Sequence, residues 1–247
     1  MPTQADIGLS TAGVVLSAAQ PLAAYLSELT GKGMREVDRA RQSDGPVTPA
    51  DGTFAIWGPL FLGSLTWAGW SALPENRNDP ALRRIGWLAC GTYASNIAWS
   101  IQAQLSGLGW PSLVFISAGA ANATAALIEA ERTPGAEVAR YTLGPLAGWL
   151  SLASFANIEA TLNDRFGRPS EEAEERRAIA LLGTAAATAS AVSVASGGSI
   201  PYAAAVSWGL AGTALRNFRE QKPAVAMVAC AGIALLAGIT AAVRFGR

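Results

Sequence analysis

Three short clusters in this sequence combine aromatic, small and amide side chains at helical spacing. Phe54, Trp57 and Phe61 are three and four residues apart, so on a helix they stack along one face. Tyr93, Asn96 and Trp99 are each three apart, which sets an amide beside two rings. Trp149, Ala153 and Asn157 follow one another at i+4. Rings, a small residue that leaves space and a few amides are what a pocket for an apolar ligand requires, because such pockets are mainly apolar with a few placed polar groups. The plainer reading is that Asn96 and Asn157 join helices by hydrogen bonding. Glu159 follows a long apolar run and could carry protons or contact a substrate. Alternatively its carboxylate reaches an interface or pairs with Arg165.

Several chemistries are excluded by what is missing. The chain has no histidine, which removes Ser-His-Asp and Cys-His nucleophile pairs, His-based zinc sites and a proximal-His haem. Cys90 and Cys230 both fall in apolar runs, which suits small buried hydrophobes better than a disulfide framework or a metal site. With 18 basic against 18 acidic residues there is no electrostatic case for nucleic acid. No nucleophile–base pair or metal cluster can be assembled, so an enzyme ranks below a binding or transport protein, and no cofactor is required.

The elements that hold these clusters must be helices in an apolar setting. Six stretches, 7–27, 52–74, 85–128, 141–158, 178–215 and 223–243, contain no Asp, Glu, Lys or Arg. A helix free of charge over roughly 20 residues has no wet face and is long enough to cross a bilayer. The runs at 85–128 and 178–215 are each long enough for two helices, and SGLGWP at 106–111 and GGSIP at 197–201 supply the turn residues for tight hairpins. Spans are therefore expected near 7–28, 53–73, 85–105, 112–129, 141–162, 178–196, 201–216 and 223–243. The fold class is all-α, a polytopic membrane bundle of about eight transmembrane helices.

The first span has no Lys or Arg before it and reads as retained, with a kink at Gln20-Pro21, rather than as a cleaved signal. Eleven Lys and Arg in the odd loops against seven elsewhere place those loops in the cytoplasm and both termini outside. Loop one carries Lys32, Arg35, Arg39 and Arg41, a positive-inside loop that could equally attract the carboxylates of a ligand or lipid head groups. Trp67, Trp70, Trp87 and Trp110 lie near span ends and are expected as interfacial anchors. Residues 164–177 form a charged connector. Beyond it, 178–247 form three Ala/Gly-rich helices with Trp208 as their only indole, so specific chemistry is expected in residues 1–163. Gly144 and Gly148, four apart in span five, allow close approach of a neighbouring helix.

At these clusters the sequence resembles the TspO/MBR family, the tryptophan-rich sensory and translocator proteins. That family has a Pro-rich entry to its second helix followed by F-x-x-x-W-x-x-L-Y, an N-x-x-W in the third helix, and P-Y-x-x-W-x-x-x-A-x-x-x-N in the fifth. Here Pro49, Phe54 and Trp57 to Phe61 look like the first motif, with the Phe-to-Trp spacing one residue shorter and Phe61 in place of Tyr. Asn96 to Trp99 matches the second. Pro145 to Asn157 matches the third, except that Leu146 stands where Tyr is usual. The family's W-Y-x-x-L-x-K-P lead into loop one is missing, and Ile158 and Glu159 replace the Tyr and Arg of the animal sterol motif, so cholesterol recognition is not supported.

The resemblance, over roughly residues 7–163, implies a five-helix bundle that binds porphyrins, haem-like tetrapyrroles or other flat hydrophobic ligands. Trp57, Asn96, Trp149 and Ala153 match positions that line the family pocket, with Phe54 and Asn157 nearby, and Phe61 and Trp99 fall on the same motifs. The leading expectation is a membrane receptor or carrier with a tetrapyrrole between helices two, three and five, Trp57 and Trp149 stacking on its faces and Asn96 orienting it. The alternative is a proton-coupled secondary transporter of a small hydrophobic or amphipathic solute, with Glu159 as proton carrier. Expected partners are the lipid bilayer, here the bacterial inner membrane, a hydrophobic small molecule and a second copy of the chain.

Overall fold

The fold is described by a computed structural model covering residues 3–33 and 45–246. Among the described residues the chain is helix and turn, with no strand. In order come α1 (Gln4–Ala24), the short α2 (Leu26–Thr30), a 3-10 helix (Asp51–Ile56), α3 (Trp57–Ser71) and α4 (Pro80–Ser106). There follow α5 (Trp110–Arg132), α6 (Glu137–Phe166), α7 (Glu171–Ala195), α8 (Ile200–Arg219) and α9 (Pro223–Phe245).

The helix ends have local causes. Thr3 and Asp6 cap α1 reciprocally, the Asp6 amide donating to Thr3 Oγ1 at 3.2 Å and the Thr3 amide to Asp6 Oδ2 at 3.0 Å. Arg83 then reaches Asp6 at 2.7 Å, tying the start of α1 to that of α4. Asp79 caps α4, whose first residue is Pro80, a position where the missing N–H costs nothing. The second span, expected as a helix from residue 53, opens instead as a 3-10 turn. Pro59 is the reason: it cannot donate to the Ala55 carbonyl and its ring would clash with it, so α geometry begins only at Trp57. Gly198 turns the hairpin between α7 and α8 at φ 80°, and a Cβ there would meet the Thr240 carbonyl at 2.8 Å.

α6, 30 residues long, is the hub, packing against α3, α5, α7 and α8. α1 lies on α3 and α4, and α9 lies on α7 and α8. Gly144 and Gly148 do face a neighbour: a Cβ on Gly144 would sit 3.2 Å from Pro201 Cβ, and one on Gly148 would strike the Tyr202 carbonyl. Small residues thus let α6 and α8 touch backbone to backbone.

Among the described residues eight helices of 15 residues or more stand where eight spans are expected, but of these length and composition make only α1, α5, α7 and α9 apolar enough to cross a membrane. α3, at 15 residues, rises roughly 22 Å, short of a ~30 Å hydrocarbon core. α4 and α6 are longer but hold Asn96, Gln104, Asn157 and Glu159 on buried faces, which lowers their mean hydropathy without wetting them. Of the four expected interfacial tryptophans, Trp87 and Trp110 face outward at 61% and 56% exposed, whereas Trp67 is 1% exposed and packs against Trp70 at 5.6 Å.

Candidate functional site

α3, α4 and α6, with the 3-10 helix, bring five rings together. Trp57 lies near-parallel to Phe61 (centroids 5.4 Å, 20°) and to Trp99 (6.1 Å, 27°). It meets Trp149 edge-on at 6.0 Å and 82°, and Phe54 meets Trp149 edge-on at 5.7 Å. Rings so disposed satisfy their quadrupoles and are too rigid to fill every corner. They leave a cavity of about 50 Å³, walled by Phe54, Trp57, Trp99 and Trp149, by Leu152, Ala153, Ala156 and Asn157 of α6, by Leu108 of the α4–α5 hairpin, and by Val47, Thr48 and Pro49.

Its polar groups divide into satisfied and free. Trp99 donates its indole N–H to Asn157 Oδ1 at 3.0 Å, and Asn157 donates onward to the Ala153 carbonyl at 3.0 Å. Trp57 Nε1 and Trp149 Nε1 are buried with no acceptor among the described residues, and Trp149 is only 3% exposed. A buried donor without a partner costs about 1–3 kcal/mol, so two on rings that line one cavity are hydrogen-bonding capacity that a rearranged, occupied site could use.

Phe54, Trp57, Trp99, Trp149, Ala153 and Asn157 are thus brought together, and two expected residues are not. Phe61 backs Trp57 without reaching the cavity wall. Asn96 turns away, its amide donating to Gln20 Oε1 of α1 at 3.0 Å. A step of three residues falls 60° short of a full helical turn, so Asn96 is rotated off the face that carries Trp99, and a second amide on α1 takes it up. The expected parallel-sided slot between Trp57 and Trp149 is also replaced by an edge-on contact.

Glu159 is completely buried, and its Oε2 accepts the Val47 amide at 2.9 Å, so the carboxylate turns inward to residues 45–50, the roof of the cavity, rather than outward to an interface. Lys32 is exposed, and Arg35, Arg39 and Arg41 lie outside the described residues.

The residues sequence reading missed are on α8. The roof runs antiparallel along that helix. Asn217 donates to the Pro46 carbonyl (2.7 Å), Thr213 to Val47 (3.0 Å) and Arg216 to Thr48 (3.4 Å). The Ala50 amide donates to the Gly212 carbonyl at 3.1 Å, and Trp208 Nε1 to Thr53 at 2.8 Å. A Cβ on Gly212 would collide with the Thr53 side chain. The signal available in the sequence was the spacing of Trp208, Gly212, Thr213, Arg216 and Asn217, one face of a helix otherwise made of small and apolar residues.

The chain has no match among curated proteins or among solved structures. The family model for TSPO-like proteins matches residues 10–242, from within α1 to within α9, and so includes the three helices that the motif resemblance left out. With the motif residues of α3 and α6 gathered round one cavity and the match running almost end to end, the chain belongs to the TspO family, as a TSPO-like protein.

Proposed function

We propose that the protein is a multi-pass membrane receptor or carrier for a planar hydrophobic ligand, a porphyrin-type tetrapyrrole being the first class to test, bound in the aromatic cavity between α3, α4 and α6. In this reading the eight helices cross the bilayer, here the bacterial cytoplasmic membrane, α3 doing so together with the 3-10 helix that runs into it. The observation that carries it is the aromatic cavity lined by Trp57 and Trp149, whose indole Nε1 groups are buried with no hydrogen-bond acceptor among the described residues. A ligand that suits them is apolar over most of its surface and presents a carbonyl, carboxylate or ring nitrogen to the indoles.

At about 50 Å³ the cavity holds one such group and not a whole macrocycle, since pockets for drug-sized ligands run to about 300 Å³ or more. Binding of a tetrapyrrole therefore widens the site, with Trp149 turning from its edge-on contact and the roof shifting outward. The transporter reading has less support, because the carboxylate it would use already holds the roof through Val47.

Titration of the protein in lipid nanodiscs with protoporphyrin IX, followed by tryptophan quenching, tests the proposal. Trp149→Phe keeps an aromatic ring but removes the indole N–H along with the five-membered ring that carries it, and is expected to weaken binding about tenfold. Equal affinity in the wild type and this variant would remove the indole donor from the account.

A further inference from the structure

The roof of the cavity is a non-helical segment inside a helical bundle, and its backbone groups must find partners without a helix or sheet to provide them. Pro46 and Pro49 have no N–H, so the demand falls mainly on carbonyls, which need donors. Side chains on one face of α8 meet it: Asn217, Thr213 and Arg216 serve the carbonyls of Pro46, Val47 and Thr48, and Trp208 holds the Thr53 carbonyl in the 3-10 helix that follows. Gly212 lets the segment lie close enough for the Ala50 amide to reach its carbonyl.

We infer that α8 belongs to the ligand site as its positioning helix, and that the polar face formed by Trp208, Thr213 and Asn217 sets how readily the roof opens to admit a ligand. None of these three side chains lines the cavity, so each acts through the roof. Val47, Thr48 and Pro49 form part of the cavity wall, and the bonds from the Val47 and Thr48 carbonyls to α8 break if that wall moves outward. The Ala/Gly-rich helices are then not a separate module. α9 and α7 brace α8 from behind, and α8 fixes the part of the site that must move. This inference rests on the cavity being the binding site, but the state of the roof can be read without any ligand.

The test uses the full chain in nanodiscs and three proteins: wild type, Thr213→Val with Asn217→Leu, and Thr213→Ser. Hydrogen exchange is followed in peptides covering residues 45–53, where the Val47 and Ala50 amides are protected by Glu159 and by α8. The double variant is expected to exchange there at least about tenfold faster, with α5 and α9 unchanged, and Thr213→Ser to behave as wild type. Association of protoporphyrin IX, measured by stopped-flow quenching, is expected to speed up in the double variant and not in Thr213→Ser. Unchanged exchange in residues 45–53, or an equal rise in every helix, overturns the inference. Faster local exchange with no porphyrin binding in any protein upholds the role of α8 and counts against the tetrapyrrole reading instead.

Discussion

The two ends of the sequence solve helix packing in opposite ways. Where α3, α4 and α6 meet, Trp57, Trp99 and Trp149, with Phe54 of the 3-10 helix, hold the backbones apart and leave a cavity between them. In α7, α8 and α9 there is little to hold them apart: a Cβ on Gly232 of α9 would lie 3.3 Å from Ala186 Cβ of α7, and Gly148 brings α6 onto the α8 backbone. Large rigid rings make space, and small residues remove it. The cavity therefore needs both halves, one to create the hollow and one to keep its roof in place.

If that contrast is right, filling the close-packed side is the most damaging change. Gly148→Leu would drive α6 from α8, costing about 3 kcal/mol or more, and the expected outcome is loss of a monodisperse protein in detergent. A sharp unfolding transition at the wild-type temperature would show that the close contact is dispensable. Glu159→Ala leaves the Val47 amide without its acceptor in a buried setting, an expected loss of about 1–3 kcal/mol seen as a lowered midpoint of thermal unfolding. Adding bulk on the aromatic side should act differently. Ala153→Val fills the hollow, and is expected to weaken protoporphyrin IX binding by roughly tenfold or more while leaving the unfolding midpoint within a few degrees of wild type. The smallest effect on binding is expected at Asn96→Ala. It leaves the buried Gln20 amide without its partner, an expected loss of about 1–3 kcal/mol of stability, but should leave ligand affinity within about twofold, since Asn96 does not reach the cavity.

What the sequence made legible follows from the range of the interactions involved. The Trp149, Ala153 and Asn157 stripe could be read because i+4 steps stay on one face, and the structure puts all three on the cavity wall. The long helices could be read because each holds a long stretch with no charged residue. Asn96 was misplaced because its partner Gln20 sits 76 residues away on α1: the three-residue step to Trp99 turns it off that face, but local spacing does not say which helix it then meets. The role of Thr213 and Asn217 was hidden for a related reason. Their acceptors are backbone carbonyls 166 and 171 residues earlier, and a carbonyl has no residue type to betray it. The edge-on meeting of Trp57 and Trp149 depends on side-chain rotation, which helical spacing does not set.

The central claim, that Trp57 and Trp149 offer free indole donors to a ligand, is tested most directly by recording the indole N–H resonances of 15N-tryptophan-labelled protein in nanodiscs during addition of protoporphyrin IX. The account predicts that the Trp149 and Trp57 signals, assigned by single Trp→Phe variants, move on binding as they gain an acceptor, while Trp208, already bonded to Thr53, stays in place. Movement confined to the exposed Trp87 and Trp110, with Trp57 and Trp149 unchanged at saturation, would contradict it.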